Sequence, residues 1–424
     1  MKHSPQDFLY SLVDYEKTVG YDYDLDAYKD FLALFDAPHK KLKHVILIGG
    51  TKGKGSTAAI LCACLINNGY KVGLYSSPHL RKVNERIRVN NRNITDTEFE
   101  GYISRIKPFI IRKKGARSFF ETLTTIAFMH FLEKQVDFTL LEVGLGGRLD
   151  ATNATDPLIS VITRIGYDHT NLLGTTLSQI TREKAEITRD NGKLITIHQK
   201  PEVEKILKCV AQDRKSSIIF ADEQHACKVI DQSLKGSHVS ISGRIGELDT
   251  LLPLIGKHQV ENLSLAIAVL FQLKAQGFYL DLEAIKTGIQ HTQLHGRFEV
   301  VSENPLVIFD CAHNEDSFQA LERNLQALHI TDFSLVFGAN EDKDISYCLR
   351  HIFPKAQSVF LVKSDNPRTR EPRELMQTAQ NFQERICVSR SVEAAIQSAV
   401  KNTGPDTAII VTGSFYLWQK DWKV

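Results

Sequence analysis

Between positions 49 and 56 the chain reads Gly49-Gly50-Thr51-Lys52-Gly53-Lys54-Gly55-Ser56, which is four glycines, two lysines and two hydroxyl side chains in eight residues. The apolar run Ile46-Leu47-Ile48 precedes it and Thr57 follows. A strand that passes through a glycine loop into a helix is the context a phosphate site requires. Glycines let backbone N–H groups converge on phosphate oxygens, Lys54 can bridge the β and γ phosphates, and the helix adds its positive N-terminal end. Gly53, Lys54, Gly55 and Ser56 are therefore the expected phosphate-binding residues. The spacing departs from the common G-x4-G-K-[ST] pattern, which would need Gly where Ile48 stands and Ser or Thr where Gly55 stands. The competing reading, a glycine-rich turn with two solvated lysines, does not account for the density of glycine, lysine and hydroxyl groups.

Glu142 ends a second apolar run and leads into Val143-Gly144-Leu145-Gly146-Gly147-Arg148-Leu149-Asp150-Ala151-Thr152-Asn153. A carboxylate at the carboxyl end of a parallel strand, beside a phosphate loop, is well placed to hold Mg²⁺. Taken alone, a Glu at a strand end is more simply solvated or salt-bridged. A third apolar run leads to Asp168-His169 and then to Arg182-Glu183-Lys184-Ala185. An isolated Asp-His pair is usually a turn with a surface imidazole, but its place after that strand would bring His169 to the same sheet edge as Glu142. Tyr75-Ser76-Ser77-Pro78-His79-Leu80 follows another strand and reads by itself as a proline turn.

These residues need a frame. Candidate strands fall at 44–48, 71–75, 138–143, 158–162, 193–197 and 217–220, with helix-like segments at 56–68, 119–133, 178–188 and 201–211. Several strands are continuous apolar runs, which suits strands covered on both faces in a parallel sheet. A doubly wound, mostly parallel α/β domain follows. The segment 237–243 looks like an exposed strand, and 260–273 like a long helix opened by Glu261 and Asn262, with Asn262 most simply a cap. A second alternation, with strands at 298–301, 306–309, 334–337, 358–362 and 408–411 and helices at 317–328, 374–381 and 392–400, predicts a smaller α/β, Rossmann-like C-terminal domain. The boundary is placed at the turn His295-Gly296-Arg297, giving expected domains 1–296 and 297–424.

Composition bounds the function. The 424 residues are 42% hydrophobic and 24% charged, an ordinary globular balance that excludes a disordered chain or collagen. A net charge of +2 gives no global reason to expect nucleic acid or an anionic membrane as partner, so any anion site is local. The longest uninterrupted apolar run, 58–66, falls far short of the roughly 18–20 residues that span a bilayer. Pro5 and Asp7 stand where a signal peptide would carry its apolar stretch, so secretion is not expected. Seven cysteines at unpatterned spacings, with Cys62 and Cys64 in an apolar helical pattern, predict a reducing cytoplasm with no disulfide frame and no zinc cluster.

The segments together resemble the Mur ligase superfamily, in particular its folate branch of dihydrofolate synthases and folylpolyglutamate synthases. The loop at 49–56 is similar to that branch's ATP loop, and 142–153 to its EVGLGGRLDATN stretch. Ser77-Pro78-His79-Leu80 with Glu85-Arg86-Ile87 resembles its SPHL…ERI substrate loop, and Phe119-Phe120-Glu121-Thr122 its FE[x]T segment. The matches continue through Gly256 to Asn262 (GxHQxxN), Gly296-Arg297-Phe298 (GR[FTM]), Asp310 to Glu315 (DGAHNP), Gly338 to Asp344 and Thr412 to Tyr416 (TGSxY). Two positions depart from DGAHNP: Cys311 replaces Gly and Glu315 replaces Pro. A side chain at 311 narrows the approach of the backbone.

The resemblance implies the residue roles. Ser77 and Glu142 would hold one Mg²⁺ and His169 a second, with a carbamate on Lys184 supporting that site. Lys54, Glu142, His169, Lys184 and His313 would be the catalytic set. Phe120 would line the pterin pocket, unless it is plain core, and Asp150 and Ala151 would contact dihydropteroate. Asn262 would contact adenine, Arg297 the phosphates, Asp310 the ribose or adenine, and His313 the γ-phosphate. The sequence identifies no general base for the amine; Asp168 and the Lys184 carbamate are candidates. The implied activity is ATP-dependent ligation of L-glutamate to dihydropteroate and to the terminal glutamate of folates through an acyl phosphate, by a monomer acting on small molecules. One rival is a peptidoglycan-type Mur ligase on a muramyl acid, for which the 48 residues ahead of the loop leave too little chain for a uridine-nucleotide domain. The other is a P-loop regulatory ATPase, which leaves the series Glu142, His169 and Lys184 unexplained.

Overall fold

The apolar runs form the centre of an eight-stranded sheet. Its strands are β1 (Val45–Gly49), β2 (Val72–Tyr75), β3 (Ile87–Val89), β4 (Arg92–Asn93), β5 (Phe138–Glu142), β6 (Ile159–Ile162), β7 (Lys193–Thr196) and β8 (Ser217–Phe220), in the order β4-β3-β2-β5-β1-β6-β7-β8. The structure, a computed structural model, describes residues 5–12, 24–111, 117–364, 366, 368–379, 384–403 and 407–419. Strands β2, β5, β1, β6, β7 and β8 are parallel neighbours, whereas β3 and β4 turn back antiparallel at one edge. Every residue of β1, β2, β5 and β6 is buried, which is why these strands read as unbroken apolar runs. Ile48 of β1 pairs with Glu142 of β5 on one side and Val161 of β6 on the other. The segments that follow these three strands therefore leave the sheet together at its carboxyl edge.

Helices cover the sheet. Lys54–Asn67 buries every residue from Ser56 to Leu65, with Cys62 and Cys64 in the core as their apolar setting implied. It begins two residues before the expected start because Gly53, at φ 92°, takes the left-handed conformation that opens it. The helix Leu282–Gln290 lies so close to it that a Cβ added at Gly288 would stand 2.5 Å from Cys64 Cα. Phe119–Glu133 opens on a capping box, in which Ser118 Oγ accepts from Glu121 N and the Glu121 carboxylate accepts from Ser118 N. The helix expected at 178–188 runs over Leu177–Ala185, and the one expected at 260–273 is longer, Lys257–Ala275. Asn262 consequently lies inside that helix, which corrects its reading as a cap. The helix Asp96–Ile111 went unread: it buries Phe99, Tyr102, Ile103, Ile106 and Ile110 on one face, but Pro108 interrupts its pattern.

Beyond residue 220 come a three-stranded sheet, β11-β10-β9, built from β9 (His225–Ser233), β10 (Gly236–Gly243) and β11 (Leu248–Leu252), and a six-stranded sheet. The latter has the order β12-β13-β17-β14-β15-β16, from β12 (Glu299–Glu303), β13 (Leu306–Asp310), β14 (Phe333–Phe337), β15 (Val359–Leu361), β16 (Ile386–Val388) and β17 (Ala408–Thr412). Only β12 is antiparallel to its neighbour. The helix expected at 374–381 is observed over Pro372–Thr378; positions 380 and 381 lie outside the described residues.

Contacts divide the chain into two compact units. One runs to Lys228 and also takes in Ser240–Thr250 and His258–Gln293; the other comprises Val229–Val239, Leu251–Lys257 and the chain from Leu294 onward. The second unit thus includes two earlier segments that the expected 297–424 domain omits. The reason is apolar burial: Ile255 belongs to its core cluster and Leu234 packs against it. In the first unit, Gly288→Ala would push a methyl into helix backbone that cannot yield cheaply. A loss of about 1–3 kcal/mol is expected, read as a lower urea midpoint. A wild-type midpoint would contradict the packing described.

Candidate active site

The phosphate loop is built by its neighbours. Thr51 N and Lys52 N donate to Arg164 O at 2.9 and 3.1 Å, and Thr51 Oγ1 both donates to Gly166 O and accepts from Gly166 N at 3.1 Å. The stretch after β6 is therefore sewn along the stretch after β1. Asn262, 5% exposed, packs its amide directly on Gly53 and donates from Nδ2 to Gln259 Oε1 at 3.0 Å. A Cβ at Gly53 would collide with Asn262 Oδ1. Arg164 and Asn262 thus brace the loop, and no motif marked Arg164 in advance.

Glu142 is buried, and its Oε2 accepts the Ser77 N–H at 3.1 Å. A Cβ placed on Gly55 would be 3.4 Å from the same oxygen. Ser77, Glu142 and the loop are therefore brought together, as the metal reading requires. Ser77 is joined to Pro78 by a cis peptide bond. His169 takes a left-handed backbone, with Nε2 3.8 Å from Asp168 Oδ1. Among the described residues, no group of three or more His, Cys, Asp or Glu side chains could hold an ion by itself.

Three lysines surround the loop. Lys54 Nζ donates to Gly50 O at 3.2 Å, Lys184 Nζ donates to the same carbonyl at 3.0 Å, and Lys52 Nζ stands 4.0 Å from Asp168 Oδ2. Lys184 is 4% exposed. Burial, and after it the charge of Lys54, pushes its ammonium down to about 7, against the pull of Asp168 and Asp150.

The second glycine turn has its own tie. Asp150 Oδ2 accepts from Gly144 N and Leu145 N at 3.0 and 2.9 Å, and Oδ1 accepts from Thr152 N and Oγ1 at 2.9 and 2.5 Å. Its carboxylate faces its own turn, and Ala151 beside it is buried. Phe120 is half-buried and packs against the core: its ring covers Gly144, where an added Cβ would stand 2.5 Å from Cζ, and lies 5.7 Å from the Tyr75 ring.

In the second unit, Asp310 is likewise taken up by backbone, accepting from Phe298 N and Ala312 N at 2.8 Å each, and burial raises its carboxyl above the usual range. His313 Nδ1 lies 2.8 Å from Cys311 O. Arg297 lies against Cys311 Sγ, with its guanidinium 4.8 Å from the centre of the Phe415 ring.

Lys184 gives a test. The unfolded chain keeps this amine protonated up to its ordinary 10.5, and the folded protein only up to about 7. Between those values the unfolded state binds more protons, so folding stability rises with pH across the window. Compared with Lys184→Met, which cannot titrate, the native chain should gain stability from pH 7 to pH 10 in urea titrations. A difference that stays flat would mean that the amine is not held neutral.

Residues 48–270 match the Mur ligase middle domain, and 296–415 the Mur ligase, glutamate ligase domain. The dihydrofolate synthase/folylpolyglutamate synthase of Bacillus subtilis is 31% identical over 398 residues, covering 92% of this chain and 91% of that protein. The Escherichia coli protein of the same name is 34% identical over 379 residues, covering 89% and 85%. A Haloferax volcanii protein named "Probable bifunctional folylpolyglutamate synthase/dihydropteroate synthase" is 30% identical over 426 residues; the match takes in 98% of this chain, which spans about half (49%) of that protein. Among solved structures, the folylpolyglutamate synthase of Thermotoga maritima superposes with a TM-score of 0.85 at 32% identity, covering 97% of this chain and 93% of its own. Escherichia coli FolC in complex with DHPP and ADP gives 0.84 at 30%, covering 98% and 96%. With both domains matched in order and the Bacillus subtilis and Escherichia coli relatives aligned over 91% and 85% of their length, the chain belongs to the Mur ligase superfamily, in its dihydrofolate synthase/folylpolyglutamate synthase branch.

Proposed function

We propose that the chain is an ATP-dependent ligase that joins L-glutamate to dihydropteroate and to the terminal glutamate of folates through an acyl phosphate. The observation that carries this reading is the buried Glu142 carboxylate set between Ser77 and a glycine loop ringed by Lys52, Lys54 and Lys184. Support for the substrate class comes from the relatives' names and from FolC bound to DHPP and ADP. Amide formation from a carboxylate at neutral pH is obstructed because the amine meets an unreactive anion. Attack of that carboxylate on the γ-phosphoryl group forms a C–O–P anhydride and releases ADP. The glutamate amine then adds to the acyl carbon, loses its proton and displaces inorganic phosphate. Little covalent chemistry is asked of the protein; its part is positioning and charge neutralisation.

The loop N–H groups and Lys54 would hold the phosphates. One buried carboxylate and a nearby hydroxyl fit Mg²⁺, which keeps water and phosphate oxygens as ligands rather than needing an all-protein cage. Ser77 and Glu142 would hold one ion and His169 a second, and bound Mg²⁺ would offset charge on the phosphoryl oxygens. Lys184, whose ammonium burial brings down to about 7, is in part the free amine at neutral pH and so has the electron pair that carbamylation by CO₂ needs, and the resulting anion would face Lys54. The Phe120 ring over Gly144 offers a flat surface to the pteridine, with Asp150 and Ala151 shaping the turn beneath it. Asn262, Arg297, Asp310 and His313 are assigned to the nucleotide on the resemblance. We further propose a cytoplasmic monomer; among the described residues no helix is long and apolar enough to cross a membrane.

Phosphate release with ATP, Mg²⁺ and glutamate should be stimulated by dihydropteroate and by tetrahydrofolate. Stimulation by a uridine-linked muramyl acid alone would overturn the substrate assignment, and release indifferent to every acid would overturn ligation. Glu142→Gln should lower turnover by about a hundredfold or more with the thermal midpoint retained; near-native rates would remove Glu142 from the site.

A further inference from the structure

Arg189 lies five residues past Lys184, outside every motif-like string, and its side chain is 21% exposed. Its guanidinium reaches the far end of the second glycine turn. Nη2 faces three oxygens, Asn153 O at 3.0 Å, Asn153 Oδ1 at 2.7 Å and Thr155 O at 2.7 Å, which share its two hydrogens. Nη1 donates to Ile187 O at 3.0 Å, and Nε stands 3.9 Å from the exposed carboxylate of Asp156. The sequence explains why a donor is needed there. Ala151–Ala154 forms one 3₁₀ turn, and Pro157, two residues beyond Thr155, has no N–H to carry the ladder on. The last carbonyls of the turn are thereby denied the backbone partners a longer helix would give them, and the guanidinium takes their place.

The turn is held at both ends. At its start the Asp150 carboxylate accepts from the N–H groups of Gly144, Leu145 and Thr152, and at its close Arg189 serves the carbonyls. Asn153 joins the two, since its Nδ2 donates to Arg148 O at 3.0 Å while its Oδ1 accepts from Arg189. The segment that carries Arg189 is anchored by other groups. Ser160 Oγ, on β6, donates to Ile187 O at 2.7 Å, Arg214 Nη1 donates to Thr188 O, and Ser216 Oγ donates to Arg189 O. Truncating the Arg189 side chain therefore releases the turn, while the backbone behind Lys184 stays tied by bonds the truncation does not touch. A turn that must be ordered each time a ligand arrives loses binding free energy to that ordering, and one already fixed does not.

We propose that Arg189 is a positioning residue for the acid substrate: its guanidinium fixes the turn 150–155, beneath the Phe120 ring, on which dihydropteroate rests. The proposal rests on the reading that places dihydropteroate at Asp150 and Ala151. The test is steady-state phosphate release by the full chain with ATP, Mg²⁺, glutamate and varied dihydropteroate, together with ADP binding by calorimetry. Arg189→Met should raise KM for dihydropteroate roughly tenfold, with kcat within about threefold and ADP affinity within about twofold of native. Arg189→Lys, which keeps a cation but not the fork, should raise KM by only about threefold. Asn153→Ala should also raise KM, and should add little in the Arg189→Met background, because the two act through one contact. A native KM in Arg189→Met would overturn the proposal. So would an equal loss of ADP affinity, the mark of a general defect, or full additivity of the Asn153 and Arg189 changes. Should Arg189→Met fail to fold, Arg189→Lys and Asn153→Ala supply the same comparison of KM with kcat. Phosphate release by the native chain that dihydropteroate does not stimulate would instead sink the substrate reading, which is a different failure.

Discussion

Because β1, β5 and β6 are parallel neighbours, the segments that follow them leave one sheet edge and crowd one another there. That crowding is the constraint on which the rest depends. At Gly53 an added Cβ would collide with Asn262, and at Gly55 it would just touch the Glu142 carboxylate. A side chain at Gly53 would push the Asn262 helix off the loop, and one longer than a methyl at Gly55 would press on the carboxylate. With them absent, a buried carboxylate, a row of loop N–H groups and three lysines share a small volume. Such a cluster is costly unless an anion completes it, and a triphosphate is an anion of the right kind.

The cost shows in Lys184. A lysine buried beside another lysine and bonded to a carbonyl is driven toward its neutral form. A structural role alone would be served better by an apolar side chain. Keeping an amine there is intelligible if its electron pair or its charge is used when ligands arrive, and perturbed groups of this kind gather at functional sites.

Much of this was legible in the sequence. The glycine loop, the carboxylate ending β5 and the pair Asp168-His169 were all readable because buried parallel strands leave unbroken apolar runs, so that their carboxyl ends can be located. The roles of Asp150 and Asp310 were less so. Both are acids in motif-like strings, yet each spends its oxygens on neighbouring backbone N–H groups, and nothing in residue type separates an acid that shapes a turn from one that meets a ligand. Asn262 looked like a cap because the helix start was misplaced by three residues. Asp96–Ile111 was hidden by Pro108, and the interleaving of 229–239 and 251–257 with the second unit depends on tertiary packing that local pattern does not encode.

The central claim is that this edge brings an inert carboxylate onto the terminal phosphoryl group before any amine attacks. Ligation with dihydropteroate labelled with ¹⁸O in its carboxylate follows the oxygen directly. One labelled oxygen should leave in each inorganic phosphate released, because the C–O–P bridge breaks on the carbon side. Unlabelled phosphate, formed while amide product accumulates, would contradict the account.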